Sequence, residues 1–253
     1  MSETHETFIS HLVELRDRLL RAIGALIVVF LVLMYWSGDI YDLLARPLMA
    51  SLPEGTRMIA TGVVTPFLVP VKVTLMVAFV IALPVILYQA WAFVAPGLYT
   101  HEKRLALPLV TVSTLLFVAG MAFCYFFVFR MVFSFINEVA PKSITPAPDI
   151  EQYLSFVMTM FTAFGVTFEV PVVVVVLARM GVVSIEKLQE ARPYVIVGAF
   201  VIAAVVTPPD VVSQLMLAVP LCLLYEVGLL VARILVREKR TEQEEPSEGD
   251  KQV

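Results

Sequence analysis

The 253-residue chain is 59% hydrophobic and only 16% charged, which excludes a soluble globular domain because so few polar residues cannot cover its surface. The formal net charge of -4 says little about partners, since acidic residues crowd the C-terminal tail while basic residues cluster in separate loops. The two cysteines lie in apolar runs without a CxxC motif, so neither a disulfide framework nor a metal site is expected.

Six long apolar runs predict an all-α integral membrane protein, because lipid offers no hydrogen-bond partner to backbone groups outside a helix. The expected transmembrane helices are residues 19–36, 67–95, 106–136, 153–180, 194–207 and 211–232. The fifth would reach only about 21 Å against a hydrocarbon core of about 30 Å, which predicts a locally thinned membrane. We expect the fifth and sixth helices to be short.

The first element is an amphipathic N-terminal segment, residues 1–18, which leads into the membrane domain, residues 19–232. The string HLVELRDRLLR places Leu12, Leu15 and Leu19 on one face and charged residues on the other, as in a helix lying on a membrane surface. Acidic residues precede the apolar run and no convincing cleavage site follows, so we expect a retained first span and not a secretory signal.

Between the first two spans, the string IYDLLARPLM has the spacing of a second, short amphipathic helix on the membrane surface, ending near Pro53. After the second span, the string FVAPGLYTHEKR contains Pro96 and Gly97, which should end the helix in a tight turn. Judged from composition alone, this loop and the N-terminal segment are most simply solvated surfaces.

The orientation follows from the uneven distribution of lysine and arginine. Basic residues concentrate near both termini and in the loops at 96–105 and 181–193, and the positive-inside rule therefore predicts that both termini are cytoplasmic. This topology also accounts for the basic residues without nucleic-acid binding. The tail, residues 233–253, is polar and poor in aromatics, and we expect it to be disordered.

Glu169 lies within the apolar string FGVTFEVPVVVVVLA of the fourth span. A charged side chain at the bilayer centre costs about 2.5–3.5 kcal/mol on insertion scales, so we do not expect it to face lipid. It is either a buried acid hydrogen-bonded to Gln214 or Thr207, or the coupling residue of a proton- or cation-coupled secondary transporter. No internal repeat is evident, which weakens the transporter hypothesis.

Asp210 is expected to cap the last helix, and Lys72 is expected to extend toward the membrane surface.

Several long strings together resemble the TatC family, the multi-spanning subunit of the twin-arginine protein translocase. They are HLVELRDRLL, FVAPGLYTHEKRLALP, YLSFVMTMFTAFGVTFEVPV, RPYVIVGAF and TPPDVVSQLMLAVPLCLLYE. The similarity extends from about His11 to Arg233. Ordered strings of this length are far more specific than any single short motif.

The resemblance implies a concave helical bundle in a bacterial inner membrane that acts as a receptor, without enzyme activity or a cofactor. It would bind the twin-arginine signal peptides of folded proteins and assemble with the single-span subunits TatA and TatB and with further TatC copies. The proton motive force would drive transport. The family's signal-peptide site maps onto Glu14, Leu15, Arg16, Phe93, Pro96, Tyr99, Glu102, Lys103 and Arg104. Glu169 would form a polar patch in a groove, and Thr207 and Gln214 would contact partner helices.

Within that implied site, we expect Glu14 and Glu102 to bind the two signal arginines. A carboxylate can accept two parallel hydrogen bonds from a planar guanidinium group, whereas a lysine presents only a point charge. Two alternatives remain open: the ion-coupled transporter that uses Glu169, and a scaffold that organises partner helices through Gln214 and Thr207 alone.

Overall fold

A computed structural model describes residues 2–51, 59–94, 103–139, 149–207 and 210–244 of the chain. These residues are almost entirely helical, with one isolated parallel bridge between Ile59 and Asp149, and the all-α prediction is confirmed. The helices are α1 Ser2–Leu33, α2 Ser37–Ser51, α3 Thr65–Val94, α4 Lys103–Phe123, α5 Phe129–Val139, α6 Ile150–Arg179, α7 Ile185–Glu190, α8 Arg192–Val206 and α9 Val211–Glu244.

Within the described residues, five helical segments are long and apolar enough to cross a membrane. They are Ser10–Leu44, Thr65–Val94, Leu107–Phe135, Ile150–Arg179 and Val211–Leu235. The apolar helix α8 has only 15 residues, so the prediction of a short fifth helix is confirmed. The prediction of six crossings therefore requires α8 to cross the membrane as well, and it stays a prediction.

The last helix is not short. Helix α9 covers 34 residues and ends at Glu244, although its apolar part ends at Leu235. The residues that follow are mainly Arg, Glu, Lys and Gln, which have high helix propensity and continue the helix beyond the apolar part. Residues 233–244 of the predicted disordered tail are therefore helical, and residues 245–253 lie outside the described part of the chain.

Helix α1 joins the predicted N-terminal segment to the first span without a break at residue 18. It contains no proline, and its Leu, Arg and Glu residues all favour a helix. A short 3-10 turn, Met34–Trp36, links it to α2, which confirms the predicted amphipathic helix in this region. The predicted end of that helix near Pro53 lies outside the described residues.

The third predicted span is interrupted by a π-helical turn. Cys124–Val128 separates α4 from α5 where the sequence predicts one continuous helix over 106–136. One wide turn shifts the register of the side chains that follow it. Apolar side chains occur on every face of this helix, including the exposed Phe126 and Phe127, so the sequence gives no periodic signal from which such a shift could be read.

The chain forms two compact units, Met1–Gly165 and Val166–Val253. In the first, Val69 and Val73 of α3 pack against Leu154 of α6, and partly buried side chains of α2 surround them. Trp91 of α3 donates a buried hydrogen bond of 2.9 Å from Nε1 to Oγ of Ser113 in α4. This bond satisfies the indole N–H, a polar group that would be costly to leave unpaired in an apolar interior.

The second unit packs the end of α6 against α7 and α9. Its buried core consists of Val174, Ala178, Leu188, Tyr225, Leu229 and Ala232. The Tyr225 hydroxyl donates a 2.6 Å hydrogen bond to the carbonyl of Leu188, so α9 holds the short helix α7 in place. Gly228 lies where α9 crosses α6, with Pro171 directly opposite.

A polar cluster, which we call the Asp149 clasp, joins residues 59–72 to the start of α6. Asp149 Oδ2 accepts hydrogen bonds from Thr61 N at 3.0 Å and Thr61 Oγ1 at 2.7 Å, while Oδ1 accepts from the first backbone N–H groups of α6. Glu151 Oε1 pairs with Lys72 Nζ at 2.7 Å, and Thr65 donates to Oε2. Lys72 is therefore an ion-pair partner within the protein, which its position near a span end did not predict.

The Asp149 clasp should make stability fall at low pH. The Thr61 hydroxyl, followed by backbone N–H groups, holds the pKa of Asp149 below its ordinary value. A carboxyl with a lowered folded-state pKa stabilises the protein above the unfolded pKa of about 3.9, and the effect is lost as pH falls through the folded pKa. Thermal unfolding measured between about pH 5 and pH 3 should therefore show a smaller loss of stability in Asp149→Asn than in the parent chain.

The matched control for this pH experiment is Asp39→Asn in α2, which removes an acidic group outside the clasp. Thr61→Val, which lacks the hydroxyl donor, should reproduce part of the Asp149→Asn effect. Equal pH dependence in Asp149→Asn and the parent chain would contradict the assignment.

Candidate functional site

Glu14 is half-exposed on α1 and already engaged by an arginine of its own helix. Its Oε1 atom accepts hydrogen bonds from Arg18 Nε at 2.9 Å and from Arg18 Nη2 at 2.5 Å. The two residues are four positions apart, so they lie on one face of α1. A carboxylate at this position can bind a guanidinium group, and in the free protein it does so.

His11 connects Glu14 with the second part of the predicted site. Its ring stacks on the ring of Phe93 at the end of α3, with centroids 4.4 Å apart and an interplanar angle of 19°. Its Nδ1 atom lies 4.0 Å from Glu14 Oε2. The fold therefore places Phe93 and Glu14, which are far apart in the sequence, beside the same imidazole ring.

Sequence reasoning missed His11, since a lone histidine outside the apolar core has no catalytic or metal-ligand spacing. The available signal was positional. His11 precedes Glu14 by three residues, so the two share a helix face, and it is the first residue of the string HLVELRDRLL that carries the resemblance.

The other predicted residues of α1 have different surroundings. Arg16 donates from Nε and Nη2 to Asp17 Oδ1 at 3.0 and 2.8 Å, so it pairs with its neighbour and not with Glu14. Leu15 is 41% exposed. The surface around Glu14 thus combines a carboxylate with exposed apolar side chains, namely Leu12, Leu15 and Leu19.

The loop half of the predicted site is only partly described. Pro96, Tyr99 and Glu102 lie outside the described residues, and for Lys103 and Arg104 the structure describes only the helix backbone at the start of α4. The structure thus brings Glu14 together with Phe93. The proximity of Glu14 and Glu102 stays a prediction.

Glu169, the predicted intramembrane polar residue, is buried on α6, with an exposed fraction of 9%. This burial agrees with the cost of exposing a carboxylate to lipid. A polar groove around Glu169 stays a prediction. Among the described residues, no group of His, Cys, Asp and Glu side chains is arranged to hold a metal ion.

Thr207 and Gln214, the predicted partner-helix residues, flank the connection between α8 and α9. Thr207 is buried and donates from Oγ1 to the carbonyl of Ala203 at 2.8 Å. Gln214 Nε2 donates to the carbonyl of Phe200 at 3.3 Å. Asp210 accepts a 2.6 Å bond from the backbone N–H of Ser213, which confirms the predicted cap of α9.

An ion pair between Arg192 and Glu226 links α8 to α9 and was not predicted. Arg192 Nε lies 2.7 Å from Glu226 Oε1, and Arg192 Nη2 donates to Oε2 at 2.8 Å. One hydrogen bond and one close charge contact therefore join the guanidinium group to the carboxylate. The separation of 34 positions between the partners explains why sequence spacing alone gave no signal.

Comparison with known proteins identifies one family. The family described as Sec-independent protein translocase protein (TatC) matches residues 10–220. TatC of Azotobacter chroococcum mcd 1 is 52% identical over 98% of this chain and 97% of its own length. TatC of Escherichia coli (strain K12) is also 52% identical, over 96% of this chain and 94% of its own length.

A solved structure matches as well. The crystal structure described as that of the twin arginine translocase receptor TatC has a TM-score of 0.79 to this protein and 40% sequence identity. The match covers 90% of this chain and 100% of the solved one. Since the sequence match and the structural match both cover most of its length, this multi-span membrane protein belongs to the TatC family of Sec-independent protein translocase proteins.

Proposed function

We propose that this chain is the signal-peptide receptor of a twin-arginine translocase and that Glu14 binds one of the two signal arginines. The observation that carries the proposal is the contact between Glu14 and Arg18. It shows that this carboxylate, half-exposed on α1, has the geometry to accept two N–H groups of a guanidinium. Phe93, held beside it by His11, adds an aromatic surface to the same site.

The surroundings of Glu14 suit a peptide that has arginines followed by an apolar stretch. The exposed leucines of α1 can cover apolar residues of the peptide while Glu14 accepts a guanidinium. Hydrogen bonds to charged groups contribute about 1.5–3 kcal/mol each, more than neutral ones, because both Coulomb attraction and directed hydrogen bonding act together. Glu102 would supply the second carboxylate, and Leu15, Arg16, Pro96, Tyr99, Lys103 and Arg104 would complete the site.

The receptor would act as part of a larger membrane assembly and not as an enzyme. We place it in a bacterial inner membrane with both termini in the cytoplasm and six crossings, α8 among them. TatA, TatB and further TatC copies would be its partners, and the proton motive force would drive transport. Thr207 and Gln214 would contact the partner helices, since hydrogen bonds between helices help spans to associate in lipid.

The proposal is tested by export of a folded reporter in a bacterium whose own TatC-family protein has been deleted. With this chain supplied, a reporter carrying an Arg-Arg signal should be exported, and a matched Lys-Lys signal should reduce export at least tenfold. A Lys-Lys signal presents the same charge, so it is the control for nonspecific attraction. Equal export of both reporters would refute the receptor proposal.

The two alternative functions, an ion-coupled transporter and a scaffold for partner helices, depend on different residues. Because the family consists of protein translocase subunits, we no longer favour the ion-coupled transporter built on Glu169. A scaffold that only organises partner helices would depend on Thr207 and Gln214 and would tolerate the loss of the Glu14 charge. Export supported by Glu14→Gln at the parental level would favour that scaffold.

A further inference from the structure

The predicted arginine ligand Glu14 has a guanidinium group from its own chain in place. Arg18 donates twice to Oε1, while Oε2 faces Nδ1 of His11 at 4.0 Å. Arg18 is only 22% exposed and is more buried than Glu14, at 40%. The same chemical group that the site is proposed to recognise in a substrate therefore occupies it at rest.

From this geometry we infer that Arg18 is an internal competitor, which occupies Glu14 in the free receptor and must be displaced before a signal arginine binds. The inference rests on the proposed function. Two guanidinium groups cannot both donate two hydrogen bonds to Oε1, because the oxygen has only two lone pairs. A signal arginine can therefore form a fork across both carboxylate oxygens only by displacing Arg18, and otherwise it contacts Oε2 alone, beside His11.

The competition has a defined energetic size. Exposed ion pairs four residues apart on a helix change an equilibrium constant by about twofold. Arg18 should weaken the binding of every peptide that uses Glu14 by a factor of this order. A competitor attached to the same helix also refills the carboxylate when the peptide leaves, so Glu14 is not left without a partner between substrates.

The neighbouring charges give the inference its controls. Arg16 pairs with Asp17, so it does not compete for Glu14. Arg21 carries the same charge as Arg18 and lies three residues further along α1. Among the described residues, the ion pairs of Glu14 are those with Arg18 and His11. Arg21→Gln therefore removes one positive charge from the helix without removing a ligand of Glu14.

The experiment measures the affinity of the purified full-length chain, in detergent micelles, for fluorescent signal peptides that carry Arg-Arg or Lys-Lys. Arg18→Gln should bind the Arg-Arg peptide about twofold more tightly than the parent chain. Arg21→Gln should change the affinity less, since it tests only the reduced repulsion of a basic peptide. Arg18→Lys, which keeps the charge but loses the planar fork, should give an intermediate affinity.

A double-substitution cycle isolates the contact. In a Glu14→Gln background, Arg18→Gln should have no effect beyond that of Arg21→Gln, because the contested carboxylate is gone. The inference is overturned if Arg18→Gln binds no more tightly than Arg21→Gln, or if its gain persists without Glu14. If the parent chain binds Arg-Arg and Lys-Lys peptides equally, the proposed function fails and the inference fails with it.

Discussion

Replacement of Glu14 by glutamine should reduce the affinity for an Arg-Arg signal peptide at least fivefold while leaving the protein folded. Glutamine has nearly the same shape, but it loses the charge and one of the two acceptor oxygens. A hydrogen bond to a charged group contributes about 1.5–3 kcal/mol, and the Glu14–Arg18 pair that the peptide displaces contributes about 0.3–0.5 kcal/mol. The difference corresponds to about five- to a hundredfold in affinity. The measurement is peptide binding by fluorescence anisotropy, and thermal unfolding confirms the fold.

The matched control for Glu14→Gln is Asp17→Asn, which removes a negative charge from the same helix at a position that pairs with Arg16. Its effect on affinity should be small, since Asp17 is not a proposed ligand and contacts the proposed site only through Arg16. If both substitutions weaken binding equally, the site attracts basic peptides by its overall charge, and the assignment of Glu14 as an arginine ligand is wrong.

The helices of this chain were largely predictable because lipid forces every backbone group in a span to pair within its own helix. An apolar run of sufficient length is therefore almost enough to predict a helix such as α3 or α6. One error, the π-helical turn Cys124–Val128, lies inside an apolar run, and another lies where this constraint ends. Beyond Leu235 the charged residues of α9 are governed by helix propensity and not by lipid, and the helix continues to Glu244.

The candidate site was predictable in its parts but not in its contacts. The resemblance located Glu14 and Phe93, yet nothing in the sequence indicated that His11 stacks on Phe93 and lies beside Glu14. The four-residue spacing of Glu14 and Arg18 allows an ion pair but equally allows both side chains to point toward solvent. Which of these is realised depends on how α1 packs against α3.

Contacts between distant segments were the least predictable. The Asp149 clasp joins residues separated by 79 to 88 positions. In the sequence, its members are a lysine expected to extend toward the membrane surface and acidic residues outside the apolar runs. Charged pairs of this kind carry no periodic signal, and only the fold shows which acid meets which base. The same holds for close approaches between helix backbones, where the signal in the sequence is a single glycine.

Gly228→Ala should destabilise the protein by about 1–2 kcal/mol, even though alanine ordinarily stabilises a helix relative to glycine by about 1 kcal/mol. A Cβ atom at this position would lie 2.8 Å from the Cα of Pro171 and 3.1 Å from the Cβ of Val174. The backbone of Pro171 cannot rotate away as a side-chain tip could, so α6 and α9 must move apart. Small residues allow such close backbone packing in membrane helices.

The matched control is Gly198→Ala in α8, where an added Cβ atom meets nothing within 4 Å in the structure. Here the gain in helix propensity should act alone, so thermal unfolding in detergent should be unchanged or shifted upward. The opposite responses of two identical substitutions would show that packing between α6 and α9, and not glycine content, sets the effect. If Gly228→Ala is as stable as Gly198→Ala, the close approach at Pro171 does not constrain the fold.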